Sequence, residues 1–104
     1  MNQLLEIRNY QLLPASTARF HQLMEEAALP LLQAAGMEVV FYGPSLQQDD
    51  AYCLIRAYRD VGHLQRSQAQ FYESEAWRNG PRNAIVALIV SYQNVAIARQ
   101  SFQN

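Results

Sequence analysis

The sequence contains no lysine, and all eight of its basic residues are arginine. Without a lysine amine, Schiff-base chemistry on that side chain is excluded, and arginine is left as the side chain for recognising anions. There is no run of basic residues, and the formal net charge is −1 with a pI near 6.0. We therefore do not expect binding to nucleic acid through phosphate neutralisation.

Cysteine is almost absent, since Cys53 is the single one in the chain. One thiol cannot form an intrachain disulfide, so nothing favours an oxidising compartment. The first residues do not show the basic stretch and apolar core of a signal peptide. No apolar run approaches the roughly 18 residues that a bilayer span needs. We therefore expect a cytoplasmic protein with no membrane span.

Patterns typical of cofactor sites are also missing. His21, His63 and Cys53 do not show a spacing typical of metal ligands. The sequence has neither a glycine-rich phosphate loop nor a nucleophile elbow. We expect no metal and no other cofactor, and the sequence assigns no catalytic residue. His63 could serve as an acid–base group, or it could be an ordinary histidine with no partner to activate it.

The composition indicates one packed domain over residues 1–104, because half of the residues are hydrophobic and 16% are charged. That charged fraction is low for the surface of a lone monomer. Another subunit is the simplest way to cover the remaining surface, so we expect a homodimer.

The hydrophobic periodicity predicts four strands at Leu4–Leu12, 37–42, 51–57 and 91–98, with helical segments after the first and third. Ser16 or Thr17 is expected to cap the first helix, and Pro30 to kink it. Asp60 is expected to cap a helix over 61–72. The resulting βαββαβ order indicates an α+β, ferredoxin-like fold in which the first and third strands are central neighbours.

Alternation along these strands places Glu6, Arg8 and Tyr10 on one face, next to Arg56 and Tyr58 of the third strand. The opposite face is less polar, so we expect that less polar face to pack on the helices. The polar face would then lie between the sheets of two subunits. Large apolar residues on it, such as Tyr52 and Leu54, would be exposed in a monomer, which is typical of an interface.

Several short motifs in this order resemble those of the NIPSNAP family. They are Glu6-x-Arg8-x-Tyr10, Pro14, Leu29–Leu32 followed by Gly36, Arg56–Asp60, Ser74-x-x-Trp77 and Ser91–Asn94. The resemblance covers roughly residues 5–97, and Ala15 departs from it where the family often has glycine. It implies a dimeric α/β barrel, a superfamily that also includes cofactor-free monooxygenases, haem-binding proteins and small-molecule isomerases. Histidines bind haem in some members of this superfamily, so the resemblance adds haem ligation as an alternative for His63.

Two interpretations of Glu6, Arg8, Tyr10, Arg56 and Tyr58 stay open. They could bind a small, partly anionic organic ligand, because arginine presents a planar fork of donors to a carboxylate. They could instead, or in addition, form an internal ion-pair network that neutralises trapped charges. The corresponding functions are a homodimeric ligand-binding or interaction domain, or a cofactor-independent enzyme of the monooxygenase or isomerase type. Whether the chain is an enzyme is not decided by its sequence.

Overall fold

The computed structural model describes residues 2–103 of the chain, and the side chains of residues 2–101. The strands in this part of the chain are β1 (Leu4–Leu12), β2 (Glu38–Pro44), β3 (Ala51–Tyr58) and β4 (Ile89–Ala98). They form an antiparallel sheet in the order β2-β3-β1-β4. The prediction of an α+β, ferredoxin-like fold with β1 and β3 as central neighbours is confirmed.

The helical segments connect these strands. They are α1 (Thr17–Leu23), a π-helical turn (Met24–Ala28), α2 (Leu29–Ala34), α3 (Val61–Glu73), α4 (Glu75–Arg78), α5 (Arg82–Val86) and α6 (Arg99–Gln103). None of the helices within residues 2–103 combines the length and the apolar character that crossing a bilayer requires.

The expected effect of Pro30 takes the form of a π-helical turn rather than a sharp kink. Proline has no N–H to donate, and its ring would crowd the carbonyl of Glu26 in a regular α-helix. The wider π turn lies immediately before Pro30, at Met24–Ala28, and α2 continues from Leu29. Gly36 then ends the helical segment with a φ of +77°, a backbone conformation that glycine adopts without strain.

The cap predicted at Asp60 is confirmed, because its carboxylate accepts a hydrogen bond of 2.8 Å from the backbone N–H of His63. The cap predicted at Ser16 or Thr17 is wrong. Ser16 donates its hydroxyl to the carbonyl of Leu13, and Thr17 donates its hydroxyl to the carboxylate of Asp50. Asp50 comes from the loop before β3, so a contact across the fold replaces the local cap.

The assignment of the sheet faces from polarity is also wrong. The face that carries Glu6, Arg8 and Tyr10 packs on α1–α5, not on a second sheet. Tyr52 and Leu54, expected to be exposed in a monomer, are buried in the same main core. The core members contributed by the helical layer are Phe20, Met24, Ala28, Leu32, Phe71, Trp77 and Ile85.

The helix-facing side of the sheet also carries a large apolar area, although it contains charged residues. Tyrosine rings and leucines alternate with the charged residues on this face, and aromatic rings contribute much of the area that a core buries. Tyr10 packs on Phe20 with ring centroids 5.3 Å apart, and Phe20 packs on Tyr52 at 4.8 Å. This face can therefore form the core where ion pairs and hydrogen bonds satisfy its charged groups.

The other side of the sheet, called here the outer face, carries a smaller apolar cluster. Its members are Leu5, Ile7, Cys53, Ile55, Ala57 and Ile97. Val95 is 50% exposed and lies opposite Ile7, while Phe41 is 49% exposed and lies opposite Ile55. The outer face is therefore apolar and partly open.

Candidate functional site

The charged residues beneath α3 are Glu6 and Arg8 of β1 and Arg56 of β3, called here the arginine–glutamate cluster. The antiparallel register places Glu6 directly opposite Arg56. Arg8 lies two residues further along the same face of β1, because strand side chains alternate. The sequence prediction that these three groups lie together is correct.

Glu6 is in contact with both arginines. Its Oε1 accepts a hydrogen bond of 2.9 Å from Nε of Arg56, whose Nη2 lies 2.8 Å from the same oxygen. Its Oε2 accepts a bond of 3.1 Å from Nη2 of Arg8. The exposed fraction of the side chain is 0% for Arg56, 2% for Glu6 and 10% for Arg8. A single carboxylate thus faces two buried cations.

Polar groups from α3 and β4 complete the surroundings of the cluster. Gln68 donates to Oε2 of Glu6 at 2.8 Å and to the hydroxyl of Tyr58 at 3.2 Å. The hydroxyl of Tyr72 accepts from Nη1 of Arg56 at 2.9 Å and from Nη1 of Arg8 at 3.3 Å. These neutral groups hydrogen-bond to the charged side chains but do not change the balance of charge.

Arg8 lies at the edge of the cluster, close to β4. Its Nε donates to Oδ1 of Asn94 at 2.7 Å, and its guanidinium carbon lies 4.7 Å from the ring centroid of Tyr92. A cation over an aromatic ring is attracted by the ring quadrupole. Tyr92 itself is exposed, so Arg8 is the cluster member nearest to solvent.

Burial has different consequences for the ionisable groups. Burial alone disfavours the charge of Arg56, but the surrounding tyrosines and Glu6 outweigh it and raise the pKa of Arg56. Burial raises the pKa of Tyr10 to about 12 and also raises that of Tyr58. Both phenols therefore stay neutral near pH 7, while both arginines are cations.

Nη2 of Arg56 lies 2.8 Å from Oε1 of Glu6 without the geometry of a hydrogen bond. This contact is an ion pair, so Glu6 compensates the charge of Arg56 on this side. Arg56 also lines a small cavity of about 20 Å³, together with Tyr10, Leu54, Tyr72 and Trp77. A space of this size holds about one water molecule.

Sequence reasoning missed Gln68, Tyr72 and Asn94 as members of this site. Gln68 and Tyr72 are four residues apart on α3, so they share one helix face with Leu64. A glutamine in an otherwise apolar stripe was a usable signal for a buried polar partner. Asn94 lies opposite Arg8 in the sheet register, which only the pairing of β1 with β4 reveals.

The remaining candidates from the sequence have structural contacts. Nδ1 of His63 accepts from the backbone N–H of Arg59 at 2.9 Å, next to the Asp60 cap. Nδ1 of His21 lies 2.6 Å from the hydroxyl of Tyr52. Burial raises the pKa of the Cys53 thiol, which disfavours the reactive thiolate. Within the described residues, no group of three or more His, Cys, Asp or Glu could hold a metal ion.

A larger depression of about 550 Å³ opens at the polar end of the outer face. Its lining includes Asn9, Gln11, Gln48, Ser91 and Gln93, and no charged residue. It lies on the opposite side of the sheet from the arginine–glutamate cluster. This depression therefore offers no charged group that could attract an anion.

The fold and the enclosed cluster define a ferredoxin-like α+β domain with a charged core. Solved structures place it more narrowly, since it has the fold of NIPSNAP domain proteins. It is similar to a NIPSNAP-like domain protein from Burkholderia xenovorans, with a TM-score of 0.86, 22% identity, and 97% of this chain and 88% of that chain covered. A NIPSNAP family protein from Agrobacterium tumefaciens matches with a TM-score of 0.84, 18% identity, and 93% and 87% covered.

The fold also matches a protein from Bordetella bronchiseptica whose name assigns it to the antibiotic biosynthesis monooxygenases. The TM-score is 0.73, with 17% identity and coverage of 95% of this chain and 98% of that chain. No family model and no curated protein matches the chain in sequence. The resemblance to the NIPSNAP family is thus confirmed as a likeness of fold.

Proposed function

We propose that this single-domain protein is a cytoplasmic homodimer that binds a small organic acid at the arginine–glutamate cluster. Glu6, Arg8, Tyr10, Arg56 and Tyr58 would form the floor of the site, and Tyr72 would form part of its cover. The observation that carries the proposal is the unequal charge: two buried guanidinium groups share one carboxylate. A buried charge without a partner is costly, so a second carboxylate would be favoured there.

Several properties of Arg56 favour the binding of a ligand. It is fully buried, it shares the carboxylate of Glu6 with Arg8, and it lines the cavity between the sheet and the helices. The cavity of about 20 Å³ is too small for an organic acid, so binding requires its cover to move outward. The cover includes Trp77 of α4 and Ile85 of α5, and helices of four and five residues have little stability of their own.

The proposal for an enzyme has weaker support from the site. A general base needs a free lone pair within reach of a substrate proton. Glu6 instead accepts hydrogen bonds from Arg8, Arg56 and Gln68. Similarity of fold to a monooxygenase-named protein does not supply a mechanism. The ligand-binding function is therefore the one that the geometry supports best.

Ligand binding is tested with hexanoate as the probe, titrated into the protein and followed by amide chemical shifts. We expect saturable binding to the wild type and at least tenfold weaker binding to Arg8→Gln, because a charge-assisted hydrogen bond contributes about 1.5–3 kcal/mol. Arg8→Gln leaves the Glu6–Arg56 pair in place, so the variant should fold. Arg19→Gln removes an exposed arginine on α1 and is the matched control. Equal binding to all three proteins, or none to the wild type, would contradict the proposal.

The dimer is supported by the apolar and partly open outer face. A second copy that packed its own outer face there would cover Phe41 and Val95, and such an interface would leave the arginine–glutamate cluster within each subunit. Native mass spectrometry should find a dimer for the wild type and a monomer for Val95→Lys. Val61→Lys, at an exposed valine on α3, should stay dimeric. A wild-type monomer would contradict this part of the proposal.

A further inference from the structure

A surface groove of about 580 Å³ lies where α3 ends and α4 and α5 follow. It is lined by Tyr72, Glu73, Arg78, Asn79, Arg82 and Asn83. We call this the outer groove. It is built from the same helical layer that covers the arginine–glutamate cluster, so its position relative to that cluster is fixed by α3.

Like the arginine–glutamate cluster, the outer groove contains two arginines and one glutamate. Arg78 and Arg82 are exposed, and Glu73 is the one carboxylate in the lining. Neither arginine forms an ion pair with another of the described residues. Nη1 of Arg82 donates to Oδ1 of Asn83 at 2.9 Å, which is a neutral partner. Among the described residues the groove thus offers two cations without an ion-pair partner and one carboxylate, that of Glu73.

Tyr72 is the residue that the two spaces share. It lines the outer groove and also the small cavity beside Arg56. Its hydroxyl accepts hydrogen bonds from both buried arginines, and its ring packs on Trp77 with centroids 5.5 Å apart. Because Tyr72 lines both spaces, a ligand that displaced its side chain would lie between the small cavity and the outer groove.

We propose that the outer groove is the second half of the ligand site, and that the preferred ligands are elongated organic diacids. One carboxylate would take the place of the Tyr72 hydroxyl as acceptor for the buried arginines. The other would lie between Arg78 and Arg82 in the groove, where arginine can bind a carboxylate with two parallel hydrogen bonds. This inference rests on the proposed function of the inner site.

The test compares two six-carbon acids, hexanoate and adipate, which differ in the second carboxylate. Amide chemical shifts give their affinities for the wild type, for Arg78→Gln/Arg82→Gln and for the control Arg19→Gln. We expect adipate to bind the wild type at least fivefold more tightly than hexanoate, which corresponds to about 1 kcal/mol. The double variant should lose this advantage and keep its affinity for hexanoate, while Arg19→Gln should behave as the wild type. Because all three arginines are exposed, folding should not be affected.

The outcomes separate the two proposals. If hexanoate and adipate bind equally and both depend on Arg8, the outer groove is not part of the site and the proposed inner site stands. If adipate keeps its advantage in the double variant, or loses it equally in Arg19→Gln, the second subsite is also refuted. If neither acid binds the wild type, the proposed function and this inference both fail.

Discussion

Replacing Glu6 by glutamine tests how the charged core is stabilised. The substitution keeps the shape of the side chain and removes the one negative charge between Arg8 and Arg56. Breaking a buried ion pair by removing one partner typically costs about 3–5 kcal/mol, since the other charge is left uncompensated. Against a total stability of about 5–15 kcal/mol for a domain, this is a large loss.

Arg8→Gln should be much milder, although it removes a member of the same cluster. The remaining Glu6–Arg56 pair is neutral overall, and Arg8, although buried, is the cluster member nearest to solvent. The variant loses the hydrogen bonds to Glu6, Tyr72 and Asn94 and the contact with the Tyr92 ring. Because it also removes the excess positive charge of the cluster, we expect a net loss of about 1–2 kcal/mol. The expected order of destabilisation is therefore Glu6→Gln first and Arg8→Gln well below it.

Urea unfolding at one fixed protein concentration measures both variants, because assembly would otherwise shift the apparent stability. The single tryptophan, Trp77, is buried and reports the transition by fluorescence. The double variant should cost less than the sum of the two single ones, with a coupling of about 1–3 kcal/mol. A loss below about 1 kcal/mol for Glu6→Gln, or a larger loss for Arg8→Gln, would refute the charge argument.

Two further predictions concern a buried phenol and a strained turn. Because the pKa of Tyr10 is raised from 10.0 to about 12 in the folded state, the unfolded chain ionises first, so stability should fall as the pH rises from 10 to 12. The free energy of unfolding should fall by about 2–3 kcal/mol over this range. Urea titrations at each pH should show a smaller fall for Tyr10→Phe than for the wild type, and an equal fall in both proteins would contradict the raised pKa of Tyr10. Ala15 has a φ of +64°, a conformation that costs an L-residue about 1–2 kcal/mol. Glycine would avoid this cost, although it loses more conformational entropy than alanine on folding, which offsets part of the gain. Ala15→Gly should therefore raise the midpoint of thermal unfolding. Ala69→Gly, at an exposed position within α3, should lower it.

The departure of Ala15 from the family pattern now has a physical reason. A residue with positive φ favours glycine, and alanine is held there by contacts from elsewhere in the chain. The backbone N–H of Ala15 donates to the carboxylate of Asp50 at 3.1 Å, and the Thr17 hydroxyl donates to the same carboxylate at 2.9 Å. These bonds lower the pKa of Asp50. The sequence revealed the unusual residue but not the partner that keeps it in place.

Local pattern determined much of the fold, including the strand at Leu4–Leu12, the cap at Asp60 and the grouping of Glu6, Arg8 and Tyr10 on one face. Each depends on side-chain alternation or on a contact within three residues, which the order of residues specifies directly. The pairing of β1 with β3 followed from the chain order and the handedness of the connections.

Only the tertiary structure decided which face of the sheet the helices cover. Alternation separates the two faces but does not say which one is buried, and the less polar face was the wrong choice. The charged face is buried because Gln68 and Tyr72, which lie more than 60 residues from Glu6 and Arg8 in the chain, supply the hydrogen bonds that its charges need. Large aromatic neighbours supply the apolar area. Such compensation depends on contacts between distant segments, and for that reason the sequence by itself did not reveal it.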